Sequence, residues 1–200
     1  APATTSGRRK KGKSSAAGPR QRRLPESLQR AIGEAQLLYV KGDYARSAAA
    51  WEEVIREDPN LPDSWHALGV LHETQGDDAK ALKFFTVAAT CSPRDTALWA
   101  RVAGLNARAG NLAEAAACLK RVVAREPGNV EAHLERALLL QHLGDDRRAL
   151  AGLERVAELD PGNGEALKSR ARLLHRMGRA GEAMALLERR LAPGLEPGGD

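Results

Sequence analysis

The sequence has 200 residues, of which 42% are hydrophobic and 28% charged, and its formal net charge is +5. This length and composition can bury a sizeable core, and no run approaches the roughly 18 apolar residues of a membrane-spanning helix, so we expect no membrane partner. Aromatic residues make up only 4% of the chain, which favours helix over strand. Cys91 and Cys118 lie far apart and outside any C-x-x-C pattern, which indicates neither a disulfide framework nor a zinc site.

The N-terminal segment differs in charge from the rest of the chain. Residues 1–25 hold eight basic and no acidic residues, whereas the remainder carries 23 basic and 26 acidic side chains, a net charge of −3. The densest cluster comprises Arg8, Arg9, Lys10, Lys11 and Lys13. Because such charges must stay solvated, we expect residues 1–25 to form a disordered basic tail. We interpret it as a nuclear-import signal or a non-specific nucleic-acid contact, with a solubilising linker and an organelle transit peptide as alternatives.

Residues 7–14 of this tail (GRRKKGKS) match the phosphate-binding pattern G-x4-G-K-[ST] letter for letter. A phosphate-binding loop needs a buried strand before it and a helix after it, so that backbone amides converge on the phosphates. Here APATTS precedes the match and SAAGP follows it. We interpret the match as accidental and expect no nucleotide or other cofactor.

After the tail, glycine and proline recur with one period. A spacing of 34 residues separates each proline from the next in the series Pro59, Pro93, Pro127 and Pro161. The same spacing separates successive glycines in the series Gly42, Gly76, Gly110, Gly144 and Gly178. Apolar residues between these marks recur every three or four positions, which predicts two helices in each unit. The glycine ends the first helix in a left-handed turn and the proline ends the second. The polar residues expected to cap the second helices are Asp43, Asp77, Asn111 and Asp145.

Each unit resembles a tetratricopeptide (TPR) repeat, whose pattern is W-x2-L-G-x2-Y, A-x3-F and P in 34 residues. The best match, in residues 62–95, consists of Trp65, Leu68, Gly69, Ala81, Phe85 and Pro93, with His72 at the tyrosine position. We therefore predict an all-α TPR helical-hairpin solenoid, coiled as a right-handed superhelix. The array spans residues 26–192, with repeats at 28–61, 62–95, 96–129, 130–163 and 164–192, and a disordered end follows at 193–200. No polar capping helix follows, so we expect a fragment of a longer array.

First helices line the groove of such an array at the fifth, ninth, twelfth and thirteenth positions of each repeat, here called the inward positions. The residues at these positions and next to them predict a partner-binding groove. Its C-terminal half is apolar in the fourth repeat and basic in the fifth. Its predicted residues are Arg101, Arg108, Leu134, Leu138, Gln141, Lys168, Arg172 and Arg176. Protein partners with acidic or amphipathic segments fit this surface, and ordinary solvated arginines are the alternative. Ile32 and Gln36 replace the Lys and Asn pair of chaperone-clamping TPR proteins, which argues against a chaperone adaptor.

Nothing in the sequence indicates an enzyme or a metal site. The five histidines show no metal-binding spacing, and the acidic pairs at residues 77–78 and 145–146 fall at helix starts, where carboxylates stabilise free amides. No nucleophile, base and orienting group occur at a plausible spacing, so we predict no catalytic activity.

Three stretches carry a closer resemblance than the general TPR pattern: residues 60–69 (NLPDSWHALG), 76–85 (GDDAKALKFF) and 93–99 (PRDTALW). They are similar to the N-terminal array of the TPR subunit of transcription factor IIIC, which also has a basic tail in this place. Thr90 and Cys91 depart from that pattern. The resemblance implies a nuclear scaffold that recruits the initiation factor for RNA polymerase III and contacts other subunits of its complex.

Two other functions remain open at this point. A generic TPR adaptor has the same repeat pattern, and so does the regulatory TPR segment of a larger enzyme such as a glycosyltransferase. Direct DNA binding by the array is disfavoured, because phosphate contacts demand a positive surface and the array has a net negative charge.

Overall fold

The computed structural model describes residues 24–191, with side chains to residue 190, and this part of the chain contains ten α-helices and no strand. The helices are α1 (Glu26–Val40), α2 (Tyr44–Glu57), α3 (Pro62–Thr74), α4 (Asp78–Cys91), α5 (Thr96–Arg108), α6 (Leu112–Arg125), α7 (Val130–His142), α8 (Asp146–Leu159), α9 (Gly164–Arg176) and α10 (Ala180–Leu191). Each helix packs chiefly on the helices before and after it, and α7 also touches α9. The predicted all-α solenoid is confirmed.

The turn inside each helix pair is built in the same way five times. The turn glycine has a backbone angle φ between 76° and 80°, a region that residues with a side chain rarely adopt. The five glycines are Gly42, Gly76, Gly110, Gly144 and Gly178. The residue after each glycine donates its backbone N–H to a carbonyl five residues earlier, as Asp145 does to Leu140 at 2.9 Å. This bond satisfies a carbonyl that the end of the helix would leave free. The predicted role of these glycines is confirmed.

The expected caps of the second helices are present in three of four cases. The side chains of Asp43, Asp77 and Asp145 each accept a hydrogen bond from the backbone N–H three residues later. Asn111 makes no such bond. Its amide nitrogen is instead 3.4 Å from the Asn106 side-chain oxygen, to which it donates. The prediction for Asn111 was therefore wrong, because a polar neighbour on α5 takes the side chain.

The connections between repeats combine a proline with a second set of caps. Helices α2, α4, α6 and α8 end two residues before Pro59, Pro93, Pro127 and Pro161. Asp95, Asn129 and Asn163 then accept backbone hydrogen bonds from the first turns of α5, α7 and α9, at 2.9 to 3.1 Å. These caps hold the first helices of successive repeats in one orientation.

Small buried residues lie where the two helices of a repeat cross. Eight of them are buried alanines: Ala35, Ala103, Ala137 and Ala171 on first helices, and Ala81, Ala115, Ala149 and Ala183 on second helices. Ser47 takes this place in the first repeat, and its hydroxyl donates to the Ala35 carbonyl oxygen at 2.8 Å. In the fourth repeat, a Cβ atom on Gly152 would lie 2.9 Å from the Ala137 Cβ, so glycine is needed there. The helices of each pair can therefore approach closely.

Candidate partner-binding groove

First helices line one continuous face of the array, and none of the inward positions in the five repeats is buried. Among residues 24–191, clefts open between first helices in at least three places on this face. Residues of α1 and α3 line the first, residues of α3 and α5 the second, and residues of α7 and α9 the third. Each cleft lies between the first helices of two adjacent repeats, so a ligand in the groove would contact several repeats at once.

The C-terminal cleft, between α7 and α9, has a volume of about 370 Å³. It brings together five of the eight residues predicted from the sequence, namely Leu138, Gln141, Lys168, Arg172 and Arg176. Leu134 lies one turn before Leu138 but packs against the core of repeats four and five. Arg101 and Arg108 lie on α5, outside this cleft. Of the eight predicted residues, five thus form one compact group, Leu134 belongs to the packing beneath it, and Arg101 and Arg108 are a separate pair.

Three of the predicted basic residues form ion pairs with the preceding repeat. Arg176 Nε lies 3.0 Å from Asp146 Oδ2, and Arg108 Nε lies 3.0 Å from Asp78 Oδ2. The hydrogen bond to Asp78 raises the pKa of Arg108 above its usual value. Arg101 Nε donates to Glu73 Oε2 at 3.2 Å. Their charges are matched within the array, so they are less available to a partner than the sequence pattern suggested.

Lys168 and Arg172 form no ion pair with any residue that the structure describes. Both are exposed, and both face the cleft together with Leu138. Glu165 also lines this cleft. Two unmatched positive charges beside a half-buried leucine are suited to an acidic segment that carries an aliphatic side chain.

The middle cleft, between α3 and α5, is smaller, at about 270 Å³, and polar. Asp63, His66, Asp95 and Arg101 are among its lining residues. Burial, and secondarily the charge of Arg101, lowers the pKa of His66, and its ring centroid lies 5.4 Å from that of Phe85. The lowered pKa favours the neutral form of the His66 imidazole in this part of the groove.

The N-terminal cleft, between α1 and α3, has a volume of about 550 Å³ and was missed by the sequence reasoning. Ile32, Val40, Ala67 and Val70 supply apolar walls, and Trp51, only 3% exposed, lies at its base. The signal was present in the sequence: the inward positions of the first repeat include Ile32, Tyr39 and Val40. Of these three residues, only Ile32 entered the predictions, through its comparison with the chaperone-clamping pattern.

The acidic pairs considered above have structural roles. Asp77 and Asp145 cap helices, while Asp78 and Asp146 form the ion pairs with the next repeat. Within residues 24–191 no group of three or more His, Cys, Asp or Glu side chains is placed to hold a metal ion, and no helix there is long and apolar enough to cross a membrane. The basic cluster of Arg8, Arg9, Lys10, Lys11 and Lys13 lies outside the described residues.

The stacked helix pairs and their lined groove define an α-helical repeat solenoid, a class of protein that binds other proteins. The tetratricopeptide repeat family model matches residues 32–96, 105–151 and 143–196. The chain belongs to the tetratricopeptide repeat family.

Two characterised relatives match most of the array. The human protein General transcription factor 3C polypeptide 3 is 31% identical over 125 residues, which cover 62% of this chain and 14% of the relative. The Saccharomyces cerevisiae protein Transcription factor tau 131 kDa subunit is 25% identical over 134 residues, which cover 67% of this chain and 13% of the relative. The chain thus spans about one seventh of each relative. The resemblance to the TPR region of transcription factor IIIC is confirmed.

Solved structures share the fold at low sequence identity. A crystal structure of MamA has a TM-score of 0.64 and 17% identity, covering 88% of this chain and 98% of that one. The structure of YrrB, described as a TPR protein with an unusual peptide-binding site, has a TM-score of 0.64 and 18% identity, covering 85% of this chain and 94% of that one. These similarities support the solenoid fold.

Proposed function

We propose that this chain is the TPR segment of a transcription factor IIIC subunit, which recruits an initiation factor to RNA polymerase III promoters in the nucleus. The observation that carries the proposal is the 31% identity over 125 residues to the human protein General transcription factor 3C polypeptide 3. The basic tail of residues 1–25 supplies nuclear import or a non-specific contact with nucleic acid.

In this proposal, the C-terminal cleft is the docking site for an acidic segment of the initiation factor. Lys168 and Arg172 attract the segment, and Leu138 receives an apolar side chain between them. Charged residues at the edge of an interface mainly steer association, whereas a desolvated apolar contact slows dissociation. The cleft offers both kinds of contact within one turn of each of two helices.

Affinity purification from nuclear extract with the 200-residue chain as bait tests this proposal. We expect RNA polymerase III initiation factors to co-purify, and the Lys168→Glu, Arg172→Glu double variant to lose them. A matched control is the Lys83→Glu, Lys120→Glu double variant, which makes the same change in net charge at exposed positions on α4 and α6. Recovery of unrelated cytosolic proteins instead, or equal recovery by both double variants, would contradict the proposal.

A further inference from the structure

We propose that the N-terminal cleft, between α1 and α3, is a second docking site that takes an aromatic or long aliphatic side chain of a protein partner with a basic residue beside it. The inference rests on the proposed role of the array as an interaction scaffold. It adds a second point of attachment, at the opposite end of the groove from Lys168 and Arg172, with the opposite preference for charge.

The walls of this cleft are apolar and uncovered. The side chain of Val40 is 81% exposed on the last turn of α1, and Ile32 and Val70 are half-buried. Two hydroxyls at this end of the groove already have partners, because those of Tyr39 and Thr74 lie 3.1 Å apart and Thr74 also donates to the Val70 carbonyl at 2.8 Å. The other polar residues that line the cleft are Gln36, Asp63 and His66. The cleft therefore offers apolar surface, and an apolar side chain would gain most by entering it.

The charge of the cleft determines which kind of partner residue is favoured next to the anchoring side chain. Asp63 lines it, is exposed, and forms no ion pair or side-chain hydrogen bond with the described residues. Burial lowers the pKa of His66, which favours its neutral form. Glu73, farther along α3, is held by Arg101 and Arg108. One unmatched carboxylate beside an apolar cleft favours a basic residue next to the anchor.

The chain's own tail fits this cleft poorly. Residues 1–23 of the tail are rich in Arg and Lys but contain no aromatic residue and no Leu, Ile, Val or Met, so they offer charge without an anchor. The one leucine of the tail, Leu24, already packs against the core cluster that includes Leu28 and Trp51. A separate protein segment supplies both. The two end clefts differ in charge, so such a segment binds in one orientation along the groove. Its basic end, which carries the anchor, contacts repeats one and two, and its acidic end contacts repeat five.

Methyl NMR on the full 200-residue chain tests the site with two blocked dipeptides, acetyl-Trp-Arg-amide and acetyl-Trp-Glu-amide. Both are expected to shift the methyl signals of Ile32, Val40 and Val70. The arginine dipeptide is expected to bind about two- to fivefold more tightly, the usual range for one exposed ion pair. Asp63→Asn should remove that preference, and Glu131→Gln, at the equivalent exposed position of the fourth repeat, should keep it.

Three results would overturn the inference: no shift at these methyl groups, equal affinity for the two dipeptides in the unmodified chain, or a concentration-dependent dimer that Val40→Arg abolishes. The last would show that a second copy of the chain occupies the cleft. None of these measurements uses an initiation factor or the C-terminal cleft, so failure of the proposed transcription role and failure of this site are separate outcomes.

Discussion

The aromatic ring of Phe85 lies directly against the backbone of Gly69, so that a Cβ atom on Gly69 would be 2.7 Å from Cδ1 and Cε1 of the ring. Both residues are buried. Arg101 covers the ring from the next repeat, with its guanidinium carbon 4.6 Å from the ring centroid. The ring is held by groups from two repeats, so it has little freedom to move away from a larger residue.

Gly69→Leu should therefore destabilise the array by about 1 to 3 kcal/mol through overpacking against Phe85. Chemical denaturation of the full chain measures this free energy of unfolding. Lys83→Ala, an exposed change on α4 in the same repeat, should stay within about 0.5 kcal/mol of the unmodified chain. Equal stability of the two variants would contradict the close contact.

Arg172 and Arg176 should respond differently to charge reversal, although both lie on α9 and face the same cleft. Arg172→Glu should slow association with an acidic partner and flatten its salt dependence, with little effect on stability. Arg176→Glu places a carboxylate against Asp146 and should also lower stability, by up to about 1 kcal/mol, the range for exposed pairs. Stopped-flow association and thermal unfolding of both variants separate these effects, and identical behaviour would be inconsistent with the ion pair.

Leu138→Ala should mainly speed dissociation of such a partner, because an apolar contact forms late in docking and is lost when the complex separates. The residue is half-buried, so its effect on folding needs a parallel measurement. Leu134→Ala is the informative comparison, since Leu134 is partly buried like Leu138 but packs against the core cluster, and its truncation should cost about 0.5 to 3 kcal/mol of stability. If Leu138→Ala destabilised the fold as strongly, Leu138 would be a core residue.

The basic tail should supply nearly all of the affinity for nucleic acid. Eight positive charges give a slope of log affinity against log salt of up to about −7, because each phosphate contact releases counterions. Fluorescence titration of duplex DNA measures this slope. Replacing Arg8, Arg9, Lys10, Lys11 and Lys13 with alanine should weaken binding sharply, and tight binding by that variant would contradict the charge argument.

The Cys118 thiol should react slowly with an alkylating reagent. It is buried, and desolvation raises its pKa, so the reactive thiolate is scarce below that raised pKa and increases only as pH passes through it. Mass spectrometry after timed alkylation at pH 8 should find Cys91, which is half-buried, modified first. Comparable rates at the two cysteines would indicate that α6 opens readily.

The helices, turns and their period could be predicted from the sequence because each depends on local chemistry. A glycine at Gly144 and an acid at Asp145 specify a turn and a cap through bonds to residues at most five positions away. The pairing of Arg176 with Asp146 spans 30 residues and depends on how two repeats are placed. Asp146 was interpreted as part of a helix start, and Arg176 was therefore counted as available to a partner.

The apolar cleft at the N-terminal end shows the same limit. Its walls come from two helices, and whether Val40 and Val70 face each other depends on the packing of α1 against its neighbours. The repeat pattern identified which face of each helix points inward. It did not show where adjacent side chains leave an opening, which is set by the sizes of residues from different repeats.

The packing of each helix on its sequence neighbours also determines how the molecule comes apart. In the part of the chain that the structure describes, α3 to α8 pack against a repeat on each side, whereas the pairs α1–α2 and α9–α10 pack against one repeat. Local opening of the 200-residue chain should therefore begin in these two pairs and proceed inward. Each docking cleft includes a helix of one of these pairs, so a partner that spans both clefts would hold both pairs closed and would slow proteolysis of the 200-residue chain.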